Sequence, residues 1–434
     1  MKFSTLAAGA VAVALAVSLV GCSSSNSTGG AKKPDKLVIL TTNSPSEKAL
    51  QATGKLYTKK TGIDIQFVDV PYDQLATKLV LAGKSKTSTF DVAMLDPLYL
   101  ATVAPSGGLL PLDKHLAKDS TYDYSDFPAS LKDYPKYKGV TYGLPLSTEP
   151  YVQLYRTDLY KKAGITPATT WDQLNSNVKA TTSPGSSQYG YAGWYGAQGA
   201  SAEPYLERLY EYGGRLLDPK TSEPLLNTAV AKKAMKDFLE LTADSPEATI
   251  SGGSPDAATQ FSQIPVALDI APSGWYSTVA DPGTSKAAGK VGVAPVPSQA
   301  IGKYAPKGIL KGWMVGISAQ SKYEDASWDF LSFALSKSNV QTFIDSGSPV
   351  VARTSTLDDA KYQNQLPYLQ YLKPGVVNGV PLPAIPELLP LAVALGNGIN
   401  SMATQGSKAN VDSSMDSLNQ KLRQILVDSG RLKK

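Results

Sequence analysis

The sequence predicts an α/β protein of more than one domain, on three observations. At 434 residues the chain is two to three times an ordinary domain, and its 42% hydrophobic share is enough for large cores. From residue 36 onward, short β-branched strands alternate with amphipathic helices. The net charge of +5 comes from 42 basic and 37 acidic residues scattered without any block, so no electrostatic track for nucleic acid is present. One cysteine excludes an intrachain disulfide, a zinc cluster and a redox pair, and one histidine leaves little room for histidine-dependent acid/base or metal chemistry. No cofactor or metal is expected, and His115, after PLDK, is read as loop surface.

The first elements read as an address. Residues 6–20 (LAAGAVAVALAVSLV) form an apolar run behind Lys2. It is too short for a membrane span of ~20 residues and suits the core of a secretory signal peptide. Leu19-Val20-Gly21-Cys22 then resembles the lipoprotein cleavage box, in which the cysteine is lipidated and becomes the new N-terminus. The alternative is an ordinary signal peptide with a stray buried cysteine. Residues 1–21 are therefore expected to be removed, and 22–35, rich in Ser and Gly, to form a flexible tether. The expected location is the extracytoplasmic face of the bacterial cell membrane, anchored at Cys22.

The body begins with a strand at LVIL (37–40). Ser44-Pro45-Ser46-Glu47 matches a capping box with Pro at the first helical position, and Gly62 stops that helix. Its apolar face is expected to carry Ala49, Ala52, Leu56 and Tyr57. IDIQFVDV (63–70) alternates as a second strand, and the three segments make a βαβ unit with a parallel sheet and right-handed crossover. A helix over 72–82 and the strand Phe90–Leu95 repeat the rhythm. Ligands in such sheets sit beyond the carboxyl ends of strands, which singles out Thr42, Asn43 and Asp96; Asn43 can equally be a turn residue, and Asp96 can also cap a helix. Past Gly139 come two extended segments around the polar turn of STEPY, a helix start at Thr157-Asp158, another at Thr169–Asp172, and helices near 203–212 and 228–241. Strands at 264–270, 290–297 and 312–317 follow, then a helix with Trp328, Leu331 and Leu335, and a closing helix over 411–426.

TGIDIQFVDVPYDQLATKL, DVAMLD, GGLLPLDKHL, YGLPLSTEPYVQLYRTDLYKKAGI, TTWDQL, Gly274-Trp275, VGVAPVP and KGWMVGIS, in this order, resemble the carbohydrate-binding branch of the family 1 extracellular solute-binding proteins. These are the maltose-binding-protein-like sugar receptors of ATP-driven (ABC) importers, and the match spans nearly all of 36–426. The resemblance implies a type II periplasmic-binding-protein-like fold, each lobe an open, mostly parallel sheet flanked by helices. It places the first lobe at 36–147 plus about 312–348 and the second at about 152–298 plus 354–434. Hinge crossings are expected near 145–152, 298–312 and 346–355. Partners so implied are a carbohydrate and the permease subunits of an ABC transporter, the chain itself a monomer. Many members carry Asp-Gly before the aromatic where this chain has Asp269-Ile270-Ala271-Pro272-Ser273-Gly274-Trp275, so the resemblance does not carry a contact onto Asp269.

Sugars offer an apolar ring face and a fringe of hydroxyls, so their receptors need flat rings beside carboxylates and amides. Trp171 and Trp328 sit in helical positions and read as packing residues. Trp194, Trp275 and Trp313 stand beside glycines in non-helical stretches and are candidate stacking surfaces. Glu149 and Tyr151 lie on the first crossing. Arg353, in PVVARTS, resembles the family's segment near the last crossing, a surface salt bridge being the other reading. The candidate ligand-binding set is Asn43, Asp96, Glu149, Tyr151, Trp194, Trp275, Trp313 and Arg353. The favoured function is a receptor without catalysis. The competing one is a surface glycoside hydrolase in which Asp96 and Glu149 converge.

Overall fold

The computed structural model describes residues 33–197, 199, 201–348 and 353–434. The expected leader, Cys22 and most of the tether lie outside the described residues. In chain order the elements used below are β1 (Lys36–Thr41), α1 (Pro45–Thr61), β2 (Asp64–Asp69), α2 (Tyr72–Ser85), β3 (Val92–Leu95), β4 (Leu144–Thr148), β5 (Tyr151–Arg156), β6 (Tyr189–Tyr191), α3 (Ala202–Glu211), β7 (Val266–Pro272), β8 (Val291–Pro295), β9 (Gly312–Ile317), α4 (Glu324–Ala334), α5 (Leu369–Asn378) and α6 (Leu388–Gln405).

Two sheets divide the strands. In the first, β1 pairs in parallel with β2 and β3, as a βαβ pattern requires, and β9 and β4 complete the order β2-β1-β3-β9-β4 in antiparallel sense. The second runs β8-β5-β7-β6, in which β6 and β7 pair in parallel and β5 is antiparallel to both of its neighbours. Each sheet is thus mostly parallel with a single reversed strand, β9 in the first and β5 in the second. A strand that arrives from the other lobe enters its sheet from the hinge end, so the crossing sets its direction in place of a βαβ turn.

Gly62 ends α1 as expected: at φ 76° it donates its N–H to the Thr58 carbonyl at 2.7 Å. The helix buries Ala49, Leu50, Thr53, Gly54 and Tyr57, whereas Leu56 is turned out to solvent. The Ser44–Glu47 capping box does not form. The Glu47 carboxylate accepts instead from Thr41 Oγ1 at 3.1 Å and Gln51 Nε2 at 2.8 Å, and the buried Ser44 Oγ has no partner.

Each lobe has its own core. Leu37, Ile39, Val92 and Val315 lie in the first with Leu357, Leu366, Leu369, Leu372 and Val376, and the second gathers Leu154, Leu268, Leu209 and Leu395. The chain therefore leaves the first lobe only after Val376. The third crossing runs between α5 and α6, not near 346–355, and 354–378 belongs to the first lobe. The i, i+3, i+7 spacing of Leu369, Leu372 and Val376 signals a buried helical face, but periodicity does not say which core the face meets.

The three crossings lie side by side. Glu149 N–H donates to the Lys311 carbonyl at 3.0 Å, Leu310 N–H to Val380 at 2.9 Å, and Val380 N–H to Gly308 at 2.9 Å. Gly312 lets two of them touch, since a Cβ there would fall 2.2 Å from the Ser147 carbonyl oxygen.

Arg353 is not a cleft residue. Fully buried in the first lobe, it donates to the carbonyls of Asp123 at 2.9 Å, Tyr122 at 3.0 Å and Leu335 at 3.1 Å. Its guanidinium lies 4.3 Å from the Phe127 ring centroid and 4.9 Å from that of Tyr122. Two separate segments of the chain close on this one fork. Arg353→Met should lower unfolding free energy by about 3 kcal/mol, because it leaves several buried carbonyls without donors. Urea denaturation checks this, and ligand affinity should stay within a factor of two.

Candidate functional site

The site is built on the crossings. Glu149, 4% exposed at the end of β4, accepts at Oε1 from Ser46 Oγ at 2.8 Å and Ser147 Oγ at 2.7 Å. Ser46 stands in the first turn of α1, where the helix dipole favours a carboxylate. Asp96, 4% exposed, follows β3; its Oδ1 accepts from Leu98 N–H at 2.9 Å and its Oδ2 from the Tyr72 hydroxyl at 2.8 Å. Asp96 thus caps one turn and still turns its carboxylate toward the cleft, so the two expected roles coexist. From the second lobe, Glu203 on α3 receives the Lys311 ammonium and, at 3.3 Å, the Tyr151 hydroxyl.

Three carboxylates thus surround one ammonium. Burial pushes Asp96 up to about 6, with Lys311 opposing and Glu203 adding to the shift. Burial also raises Glu149, although the hydroxyls of Ser147 and Ser46 and the charge of Lys311 hold it back. For Lys311 burial works against the charge, and Glu203, Asp96 and Glu149 overcome it, so the ammonium is held above its usual value.

Aromatic rings and hydroxyls surround this cluster. Trp313 on β9 meets Tyr72 edge to face at 5.8 Å, and Tyr72 meets Tyr99 at 5.5 Å. Trp275, half-buried, ends the short turn Ser273–Trp275 after β7, and that turn contacts α1 of the other lobe. Among the described residues, four of the buried hydroxyls without a partner belong to segments next to the cluster: Ser44 Oγ, Thr148 Oγ1, Ser273 Oγ and Tyr368 Oη. Thr148 precedes Glu149, Ser273 N–H donates to the Pro150 carbonyl at 3.0 Å, and the Glu149 charge reaches Tyr368. Such groups are costly to bury unpaired, and a ligand rich in hydroxyls can satisfy them.

Of the predicted residues, Asp96, Glu149 and Tyr151 come together here, with Trp313 alongside through Tyr72 and Trp275 across from α1. Trp194 is buried in the second core and stacks on Tyr151 at 6.3 Å, so it backs a site residue. Asn43 is exposed in the turn before α1. Asp269 is buried in β7 with Oδ1 unpartnered, and burial holds its carboxyl well above the usual range. Sequence reasoning missed Tyr72, Glu203 and Lys311. Tyr72 and Glu203 had been read only as the starts of helices, and Lys311 stands directly before the Gly312-Trp313 pair that was noticed.

Residues 41–341 match the family model described as bacterial extracellular solute-binding protein, about two thirds of the chain. The chain belongs to this family. A mannitol-binding protein of Pseudomonas aeruginosa is 24% identical over 401 residues, covering 86% of this chain and 89% of the relative. A probable amino-acid ABC transporter periplasmic-binding protein of Sinorhizobium fredii is 24% identical over 352 residues, 80% of this chain and 78% of its own. Among solved structures, an ABC transporter solute-binding protein of Agrobacterium radiobacter K84 in complex with ribitol superposes with TM-score 0.83 at 24% identity, over 91% of this chain and 100% of that one. This likeness establishes the two-lobed periplasmic-binding fold, and the family is one of solute-binding proteins.

Two outcomes follow from the charge cluster. A carboxyl raised to about 6 from its ordinary 3.8 favours the folded state fully below pH 4 and loses that contribution as pH rises toward 6. The stability of Asp96→Asn relative to the parent should therefore climb by about 1–3 kcal/mol between pH 4 and 7, as read by denaturation at each pH. Lys311→Met should cost about 3 kcal/mol at pH 7 by stranding buried carboxylates, and the double change Lys311→Met with Glu203→Gln should recover part of it in the same assay.

Proposed function

We propose that the chain is a lipid-anchored receptor that captures an uncharged polyhydroxyl solute, a sugar or sugar alcohol, between its lobes and delivers it to an ABC importer. What supports the reading is the arrangement of Asp96, Glu149 and Glu203 around Lys311, with unpartnered hydroxyls next to Glu149 and the Trp313 ring against Tyr72. Carboxylates accept from the paired hydroxyls of a sugar, hydroxyls do both, and rings cover the apolar face. The mannitol-named relative and the ribitol complex agree with this chemistry. An amino acid fits less well: Lys311 is committed to Glu203, so an α-carboxylate brought up to Lys311 would enter among three carboxylates.

Both carboxylates of the hydrolase reading already accept hydrogen bonds within the fold. Glu149 is held by two serines, and Asp96 by an amide and a tyrosine. Capture follows from population shift: a solute that touches Asp96 and Trp313 on one lobe and Glu203 and Trp275 on the other gains its full contact only when the lobes meet. The anchor rests on Leu19-Val20-Gly21-Cys22 and the Ser-rich stretch behind it.

Isothermal titration against hexitols, pentitols, mono- and disaccharides tests the reading, and heat from at least one of them is expected. A solute at 100 times its Kd should stabilise the fold by about 2.7 kcal/mol, and absence of both signals across the panel would refute it. Glu149→Gln should weaken the bound member by 10-fold or more. Cys22→Ser should release the protein from the membrane fraction into the medium, read by immunoblotting.

A further inference from the structure

We propose that the cleft has a second compartment that takes an aliphatic group carried by the polyhydroxyl ligand, such as the short alkyl aglycone of a glycoside. The proposal rests on the polyol reading above. Next to the Lys311–Glu203 pair lies a cavity of about 450 Å³, within the size of small-molecule sites, roughly 300–1,000 Å³. Asp96, Glu203 and Lys311 line one side, so it is continuous with the charge cluster. Ten of the fourteen remaining lining residues are apolar, Leu98, Leu100, Leu310, Pro381, Leu382 and Leu388 among them, and Ser130, Asp133 and Lys136 are the polar exceptions.

The chemistry of this wall differs from that of the polar cleft. Tyr134 is its single aromatic residue, and the tyrosine hydroxyl is directed to the Gly312 carbonyl at 3.4 Å. Branched side chains and proline rings do not offer the flat face on which a sugar stacks, and hydroxyls pressed against them would lose water without gaining partners. An aliphatic group has nothing to lose there. Each methylene moved from water into such a site multiplies affinity roughly fourfold.

The wall is also built to persist. Prolines at 381 and 383 fix their own φ, and Val380, just before them, is bonded on both sides to the second crossing through Leu310 and Gly308. Leu98 and Leu100 come from the first lobe and Leu388 opens α6 of the second, so a group seated here touches both halves. The polar end of the same molecule remains with Asp96 and Glu203. Specificity then has two sources: hydroxyl geometry in the polar part, and the presence of an aliphatic end in the other.

Matched pairs test this on the intact chain by isothermal titration: methyl and n-butyl β-D-glucoside, methyl and n-butyl β-D-maltoside, and 1-O-methyl and 1-O-butyl mannitol. For any head group that binds, the butyl member should bind at least tenfold more tightly than the methyl member. Leu382→Asp should abolish that gain and leave the methyl member within twofold; Ala384→Asp, on the same lining, replaces it if circular dichroism shows the first variant misfolded. Methyl members that bind while butyl members bind equally or more weakly overturn the second compartment and leave the polyol reading intact. A panel in which no member binds overturns the polyol reading, and the compartment with it.

Discussion

Lys311 among three carboxylates, two of them buried and Glu203 partly so, is the constraint on which the site depends. A lone ammonium in this position would be expelled by its desolvation cost, and three carboxylates without it would repel one another. Together they form a cluster that draws on both lobes: Asp96 after β3, Glu149 at the end of β4, Glu203 on α3, and Lys311 at the entry of β9. Each residue enters from a different element, and the fold exists in large part to bring those four ends to one place. The surplus of negative charge is spread by short polar links, two serines on Glu149 and a tyrosine and an amide on Asp96, so no carboxylate depends on the lysine alone.

Around that cluster the labour is divided. Tyr72 supplies both a hydroxyl for Asp96 and a ring for Trp313, tying hydrogen bonding to the aromatic surface. Trp194 holds Tyr151 from behind, and Tyr151 in turn reaches Glu203. Arg353 does comparable work far from the cleft, where its fork gathers the 122–123 loop and the end of α4 around residue 335.

The first half of the fold was legible because its signals are local. β-branched runs, Gly62 and the helix starts each report on a few neighbouring residues, and βαβ order then fixes strand direction. The later crossings were not, because direction and lobe membership depend on which core a segment meets. The apolar stripe of α5 looks the same against either, and residues 346–355 drew attention only through Arg353. The same limit governs the site. Asp96 and Glu149 stand at strand ends and could be named from position. Glu203 and Lys311 are 108 residues apart in sequence, and nothing in either neighbourhood announces the other. Ser44 shows the converse error: a complete local signature was present, but Glu47 found better partners in Thr41 and Gln51.

The three crossings are joined rung to rung by backbone hydrogen bonds, with Lys311 meeting Glu149 and Val380 meeting both Gly308 and Leu310. Separate linkers would let the halves twist, slide and bend in any combination. Strands fused edge to edge resist shear and torsion and yield only by flexing across their common width. Relative movement of the lobes is thereby reduced to a single angle, so whatever senses that movement receives one scalar quantity, and every contact made in the gap is added to the same coordinate.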